Sequence, residues 1–179
     1  MRIIKLNEQS RANILADLLK RDPNNYSAYE DTVQAIVDDV RARGDEALFE
    51  YTKKFDGAEL SADNIRVTQA EIQEALSQVD PSLLAVMKKS MKNIREYHEK
   101  QKQYSWFDSK PNGTILGQKV TALSSVGVYV PGGKAAYPSS VLMNIIPAEV
   151  AGVEKIVMVT PPGKDGKVNP VTLIAAHLA

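Results

Sequence analysis

The chain has 179 residues, 44% of them hydrophobic and 25% charged, the balance of an ordinary globular protein with room for one or two domains. Lys plus Arg and Asp plus Glu both number 22, so no net field favours nucleic acid or an acidic membrane surface. There is no cysteine, which excludes disulfides and thiolate zinc sites. No apolar stretch has bilayer length and the early polar residues are not those of a signal peptide, so a cytoplasmic protein is expected, with neither membrane nor nucleic acid as partner.

Residues 1–124 read as a helical N-terminal region with short strands. Met1 to Leu6 is a strand candidate. Ser10 to Leu19 puts Ile14, Leu15, Leu18 and Leu19 on one helical face. Asp22-Pro23-Asn24-Asn25 is a turn. Tyr29 to Ala42 carries Val33, Ile36, Val37 and Val40 at helical spacing, and Gly44 breaks it. Asp45 is placed to cap a short helix through Lys54, closed by Phe55-Asp56-Gly57. Asn64 to Val67 is a short strand candidate. Thr68 and Glu71 fit a capping box for a helix through Val79. Asp80-Pro81 predicts a cap with proline at the first helical position, opening a long helix to about Gln103. Tyr104, Trp106 and Phe107 then form an aromatic cluster, read as a hydrophobic plug at the end of that helix rather than a base-stacking surface. Phe107 to Gly113 is a hairpin-like turn, and Thr114 to Ser124 an extended segment.

Residues 125–179 change character to strand, loop, helix, strand, loop, helix. The short apolar run Val126 to Val130 suits a buried strand. Pro131-Gly132-Gly133 ends it and offers positive φ angles, and Pro138-Ser139-Ser140 starts a helix with a hydroxyl available to cap it. Lys155 to Thr160 is a β-branched run typical of a buried parallel strand. Asn169-Pro170 opens an apolar helix that reaches Ala179. The fold class expected is α/β: a mostly helical region followed by half of a Rossmann-like parallel sheet, a partial cofactor-binding domain. Its last helix ends in Ala175-Ala176-His177-Leu178-Ala179 without a cap, which reads as truncation.

A strand running through glycines to a helix N-terminus is a natural anion site. Gly127 and Gly132 have the spacing of a phosphate-binding loop, but Gly133 stands where lysine is required and Lys134 is followed by alanine. The dinucleotide glycine fingerprint is absent too. From spacing alone, a tight strand-to-helix turn and a cofactor loop both stand, with Tyr129 offering a face to a planar ring. His98 and His177 are too far apart in sequence to suggest a zinc site, and no metal ligand is assigned in this chain. Asp38, Asp39, Asp45, Glu46 and Glu149 read as surface charge, and Asp165 as a turn residue.

The segment GVYVPGGKAAYPSSVLMNIIPAEVAGV, residues 127–153, resembles the glycine-loop segment of the histidinol dehydrogenase family. Tyr51 to Gly57, YTKKFDG, resembles that family's YTxKFDG motif. Asn93 to Gln101, NIREYHEKQ, is similar to its NIRxFHExQ motif, with Tyr97 in place of phenylalanine. The motifs stand in the family's order, and only the N-terminal part of the family's length is present. The resemblance implies an N-terminal fragment of an NAD-dependent, zinc-containing enzyme that oxidises L-histidinol to L-histidine in histidine biosynthesis. It implies NAD contact at Tyr129, with Gly132 and Gly133 letting the backbone approach the cofactor. The general base, the catalytic histidines and the zinc ligands would lie beyond residue 179, so no catalytic residue is assigned here. A homo-oligomer is expected. The alternative is a non-catalytic nucleotide-binding or interaction module that keeps only this part of the fold.

Overall fold

A computed structural model describes residues 5, 7–19, 26–132 and 136–179, with the side chains of residues 15–19 left out. The strand expected over Met1 to Leu6, the turn at Asp22 to Asn25, and Gly133 and Lys134 therefore lie outside the description, in whole or in large part. The chain divides into two compact units, residues 1–48 and 49–179.

The first unit holds α1 (Glu8–Leu19), α2 (Ser27–Arg43) and the start of α3 (Asp45–Phe55). Helix α2 has the expected periodicity, yet none of its residues is buried. Ile36 and Val40 are half covered, and Val33 and Val37 are exposed. Its aspartates bind their own helix: Asp38 accepts from Gln34 and Arg41, and Asp39 from Arg43. Gly44 ends α2 at a φ of 64°, a left-handed conformation that costs glycine nothing. Asp45 is the first residue of α3 rather than its cap.

The second unit carries α4 (Gln69–Gln78), α5 (Pro81–Glu99), β1 (Trp106–Ser109), β2 (Ile115–Gln118), β3 (Ser125–Tyr129), α6 (Pro138–Val150), β4 (Lys155–Val159) and α7 (Pro170–Leu178). The capping box of α4 is complete. The Thr68 hydroxyl accepts from the Glu71 amide, and the Glu71 carboxylate accepts from the Thr68 amide at 2.7 Å. Asp80 caps α5 through the Ser82 amide at 2.7 Å, with Pro81 at the first position. Helix α5 stops at Glu99, short of Gln103, after which Lys100 and Gln101 bond to Tyr97 and His98 carbonyls.

Several expectations fail locally. Asn64 to Val67 is turn and bend, not strand. The Asn64 side chain accepts from the Ser61 amide at 2.6 Å and so competes with any ladder. Of Thr114 to Ser124, only Ile115–Gln118 is strand. Tyr104, Trp106 and Phe107 form no plug, since Trp106 is 56% and Phe107 63% exposed. No serine hydroxyl caps α6; its cap position is Tyr137, without a side-chain bond.

Strands β3 and β4 pair in parallel with Tyr129 opposite Val159 and Val128 opposite Met158. Val128 and Val130 point into a core built on α6, where Val141, Leu142, Ile145, Ile146 and Val150 are buried, with Met87 of α5 and Ala175 of α7. Helix α7 lies against both α6 and α4, and Leu173 and Ile174 join Ala75 and Val79 in a second cluster. The apolar stripe of α7 is thus covered by α6 and α4. An Arg95–Glu149 ion pair joins α5 to α6, so Glu149 is a partnered residue and not merely surface charge.

Candidate functional site

The site is built where the parallel strands end. Burial alternates along β3, so Val128 and Val130 face the helices and Tyr129 faces away. The Tyr129 ring is 63% exposed on the open side of the pair, next to Val159 and near Val157, which are exposed as well. That side has no helix on it among the described residues.

Past Tyr129 the backbone stays paired for one more step, the Val130 amide donating to the Val159 carbonyl at 3.0 Å. Gly132 then passes the loop that follows β4. A Cβ there would sit 3.0 Å from the Pro161 carbonyl oxygen and 3.3 Å from the Thr160 hydroxyl. Gly132 does not have a positive φ. Glycine is favoured there by the close approach of the loop after β4, not by the left-handed turn expected from the sequence.

The loop from Thr160 to Asn169 closes on itself. The Gly163 amide donates to the Lys167 carbonyl at 2.8 Å, and Gly166 turns at a φ of 78°. Asp165 accepts from the Lys167 amide at 3.1 Å, the turn role expected for it. Between this loop, Gly132 and the flank of α4 lies a cavity of about 430 Å³. Its position, outside the carboxyl ends of parallel strands, is where open α/β sheets bind ligands.

Polar groups from both sides converge there. Lys167 Nζ meets both Glu74 oxygens, at 2.9 and 3.0 Å. Glu74, Asp165 and Glu71 raise the Lys167 pKa, Glu74 foremost through its hydrogen bond. The Glu71 carboxyl is held below the usual carboxylate range, chiefly by the Thr68 amide and hydroxyl. Asn169 Oδ1 accepts from the Val171 and Thr172 amides at 3.0 and 3.3 Å and so caps α7.

The structure thus brings Gly132 to the cavity wall and leaves Tyr129 outside it. Glu74, Thr160 and Lys167 were not foreseen as site residues. Glu74 and Lys167 are 93 positions apart, and nothing local in the sequence announces their meeting. His98 Nδ1 lies 2.7 Å from Gln101 Oε1, its ring edge-on to Tyr97, and His177 is exposed on α7. Among the described residues no three His, Asp or Glu gather as a metal site. No described helix is long and apolar enough to cross a membrane.

A parallel strand pair with helices on one side and a cavity at its carboxyl end defines a mixed α/β protein that carries part of a parallel sheet. The profile of the histidinol dehydrogenase family matches residues 19–179, and the chain belongs to that family. It is 60% identical over 145 residues to the histidinol dehydrogenase of Bacillus subtilis, an alignment covering 81% of this chain and 34% of the relative. With the Clostridium acetobutylicum protein it shares 48% identity over 179 residues, all of this chain and 41% of the other. The crystal structure of histidinol dehydrogenase from Elizabethkingia anophelis superposes with a TM-score of 0.77 at 35% identity, covering 84% of this chain and 34% of that one. The chain therefore spans 34% to 41% of the length of these relatives.

Proposed function

We propose that the chain supplies the N-terminal wall of the cofactor cleft of an NAD-dependent histidinol dehydrogenase, the enzyme that converts L-histidinol to L-histidine. The observation that carries this reading is Tyr129: an exposed ring at the carboxyl end of a parallel strand, three residues before a glycine whose Cβ position lies tight against the loop after β4. Its face offers a planar ring an apolar contact worth about 1 kcal/mol. Gly132 keeps the strand end bare of side chain, so a cofactor can approach the backbone. Gly133 is assigned to the same role by family resemblance.

NAD, when bound, accepts the hydride. This chain's own residues bind and orient it, and no described residue is assigned the alcohol proton. Oxidation needs a base within hydrogen-bond reach of that proton and a fixed carbon-to-nicotinamide geometry. The family's base would come from sequence beyond residue 179. Zinc does not fit the described residues, which gather no ligand set, so no step is routed through it. A homo-oligomer is part of the proposal, supported by the exposed apolar side of the β3–β4 pair. A second reading, a non-catalytic interaction module, draws on the exposed aromatic residues of the β1–β2 hairpin.

Titration of NAD into the purified chain by calorimetry tests the assignment. Weak binding lost in Tyr129→Ala is expected, as is no NADH formation from histidinol and NAD. Tight binding untouched by Tyr129→Ala would remove Tyr129 from the cleft. Histidinol oxidation by a sample free of host enzyme would show a complete active site in this chain.

A further inference from the structure

We propose that Asn112, at the tip of the β1–β2 hairpin, is a site of spontaneous covalent modification, converted through a cyclic imide to aspartate and isoaspartate, with the closed hairpin as the brake on the reaction. Of the nine asparagines in the chain, Asn112 alone is followed by glycine. The reaction needs that neighbour. The Gly113 amide nitrogen attacks the side-chain carbonyl carbon of Asn112, and the new C–N bond closes the imide ring. The bond from that carbon to Nδ2 breaks. Nδ2 leaves as ammonia, carrying the proton that the Gly113 nitrogen gives up. Water then adds to one of the two ring carbonyls. Opening at the carbonyl that came from the side chain gives aspartate. Opening at the main-chain carbonyl gives isoaspartate, whose main chain runs through the old side chain. Water is the only co-reactant, and nothing is oxidised or reduced.

The surroundings single out this residue. Residues 111–120 are all exposed, and a Cβ added at Gly113 would meet nothing within 4 Å, so no side chain screens the attacking nitrogen. Other asparagines are held differently. Asn169 precedes Pro170, which has no N–H to give up. Asn93 and Asn144 lie inside α5 and α6. Asn64 precedes the β-branched Ile65, and its side chain is bonded at both ends, to the Ser61 amide and the Glu59 carbonyl. At the hairpin tip two bonds oppose the reaction. The Gly113 N–H donates to the Lys110 carbonyl at 3.0 Å, which occupies the nucleophile. Asn112 Oδ1 accepts from the Thr114 amide at 3.1 Å, which fixes the carboxamide. Both bonds must break before the ring closes. They break readily, because β1 and β2 bury none of their residues and such a hairpin is marginal in water. Local opening therefore sets the rate. Isoaspartate adds a methylene to the main chain at the turn, which no longer matches a register that sets Ser109 opposite Ile115.

Prolonged incubation of the full 179-residue chain in neutral and mildly alkaline buffer tests this, with peptide mapping by mass spectrometry and enzymatic labelling of isoaspartate. Conversion at Asn112 is expected to run at least about tenfold faster than at any other asparagine, and to rise with pH as the Gly113 nitrogen is more readily deprotonated. Asn112→Gln, whose ring closure is slower, should stop conversion there and leave the unfolding midpoint unchanged. Gly117→Ala, which opens the hairpin, should accelerate conversion several-fold. In the converted fraction, hydrogen exchange should show protection lost over residues 106–118 and kept in α6. Equal rates at Asn112 and Asn64 would overturn the site. Conversion no faster in Gly117→Ala than in the parent would overturn the brake. Should that variant fail to fold, the parent chain in mild denaturant, below its unfolding transition, replaces it. Conversion at Asn112 that stays flat under those conditions would overturn the brake in the same way.

Discussion

Among the described residues the molecule holds two small sheets of two strands each, and they differ in what supports them. The parallel pair β3–β4 has one side buried under α6, with Val128 and Val130 in the core. The antiparallel pair β1–β2 has every residue exposed. Its register runs from Trp106 opposite Gln118 to Ser109 opposite Ile115. Local bonds hold that register: the Lys110 amide to the Thr114 carbonyl at 2.9 Å, Gly113 at a φ of 85°, and the Ser105 hydroxyl linked to Val120 at the base. Isolated hairpins are marginal in water. Burial thus fixes one sheet and turn chemistry the other, and substitutions should separate the two.

The largest effect is expected in the parallel module. Ile146 is fully buried between β3, α5 and α7 neighbours. Ile146→Ala removes methyl groups from a packed core and leaves a cavity, at a cost of about 2–5 kcal/mol. Chemical denaturation should show the midpoint falling with an unchanged slope. A loss below about 1 kcal/mol would mean this core is loosely packed and is not what supports the sheet.

Next is Gly117→Ala in β2. A Cβ there would lie 2.4 Å from the Trp106 carbonyl oxygen and 2.5 Å from a Phe107 ring carbon. No shift that small relieves both, so the hairpin should open. Because β1 and β2 pack chiefly on each other, the rest of the unit should stay folded. Hydrogen exchange would show protection lost over residues 106–118 and kept in α6 and β4. Joint loss in both regions would mean that the two sheets are one cooperative unit.

Much of this was legible in the sequence, and what failed did so for identifiable reasons. The capping box at Thr68 and Glu71 and the Asp80-Pro81 and Asn169-Pro170 helix starts are local signals that stand where they were read, and the β-branched run is a parallel strand, although it was read as buried and its Lys155, Val157 and Val159 are exposed. Tyr104, Trp106 and Phe107 were misread because aromatic composition signals burial only when a partner surface exists. None of the elements described covers them. Gly132 was read as conformational freedom, whereas its need arises from Pro161, a residue distant in sequence. The cavity depends on a Glu74–Lys167 meeting across the fold, which periodicity and caps cannot carry.

The hairpin's exposed side chains should therefore matter little to stability. Phe107→Ser with Ile115→Ser is expected to change unfolding free energy by no more than about 0.5 kcal/mol per site, the usual range for surface positions. What should change is association. Exposed apolar clusters promote it, and Trp106, Phe107, Ile115 and Leu116 lie together on this arm, in addition to Tyr129, Val157 and Val159 on the open sheet side. Light scattering over a concentration series should show self-association of the parent chain and a shift toward monomer in the double variant. If only Val157→Thr and not the hairpin variant shifts it, the sheet side is the contact surface.

The smallest effect is a pH dependence at the N-termini of α4 and α5, and its sign at α4 is fixed by the capping box. The Thr68 amide and hydroxyl hold the Glu71 carboxyl below the usual carboxylate range. A group whose folded pKa is depressed stabilises the fold fully above its unfolded pKa and loses that contribution as pH falls through the folded value. The loss therefore begins near pH 4.5 and continues below it, with Asp80, held down by the Ser82 hydrogen bonds, acting in the same direction. Glu71→Gln separates the charge from the geometry, because glutamine can still complete a capping box but does not titrate. The stability gap between the parent and this variant should be widest at neutral pH and shrink below pH 4.5. Helix α4 covers one flank of α7, so the effect is readable in global unfolding even though the carboxylate is largely solvated. A gap that stays constant from neutral pH to strong acid would show that the Glu71 charge contributes nothing, and that hydrogen-bond geometry alone fastens α4 to the parallel module.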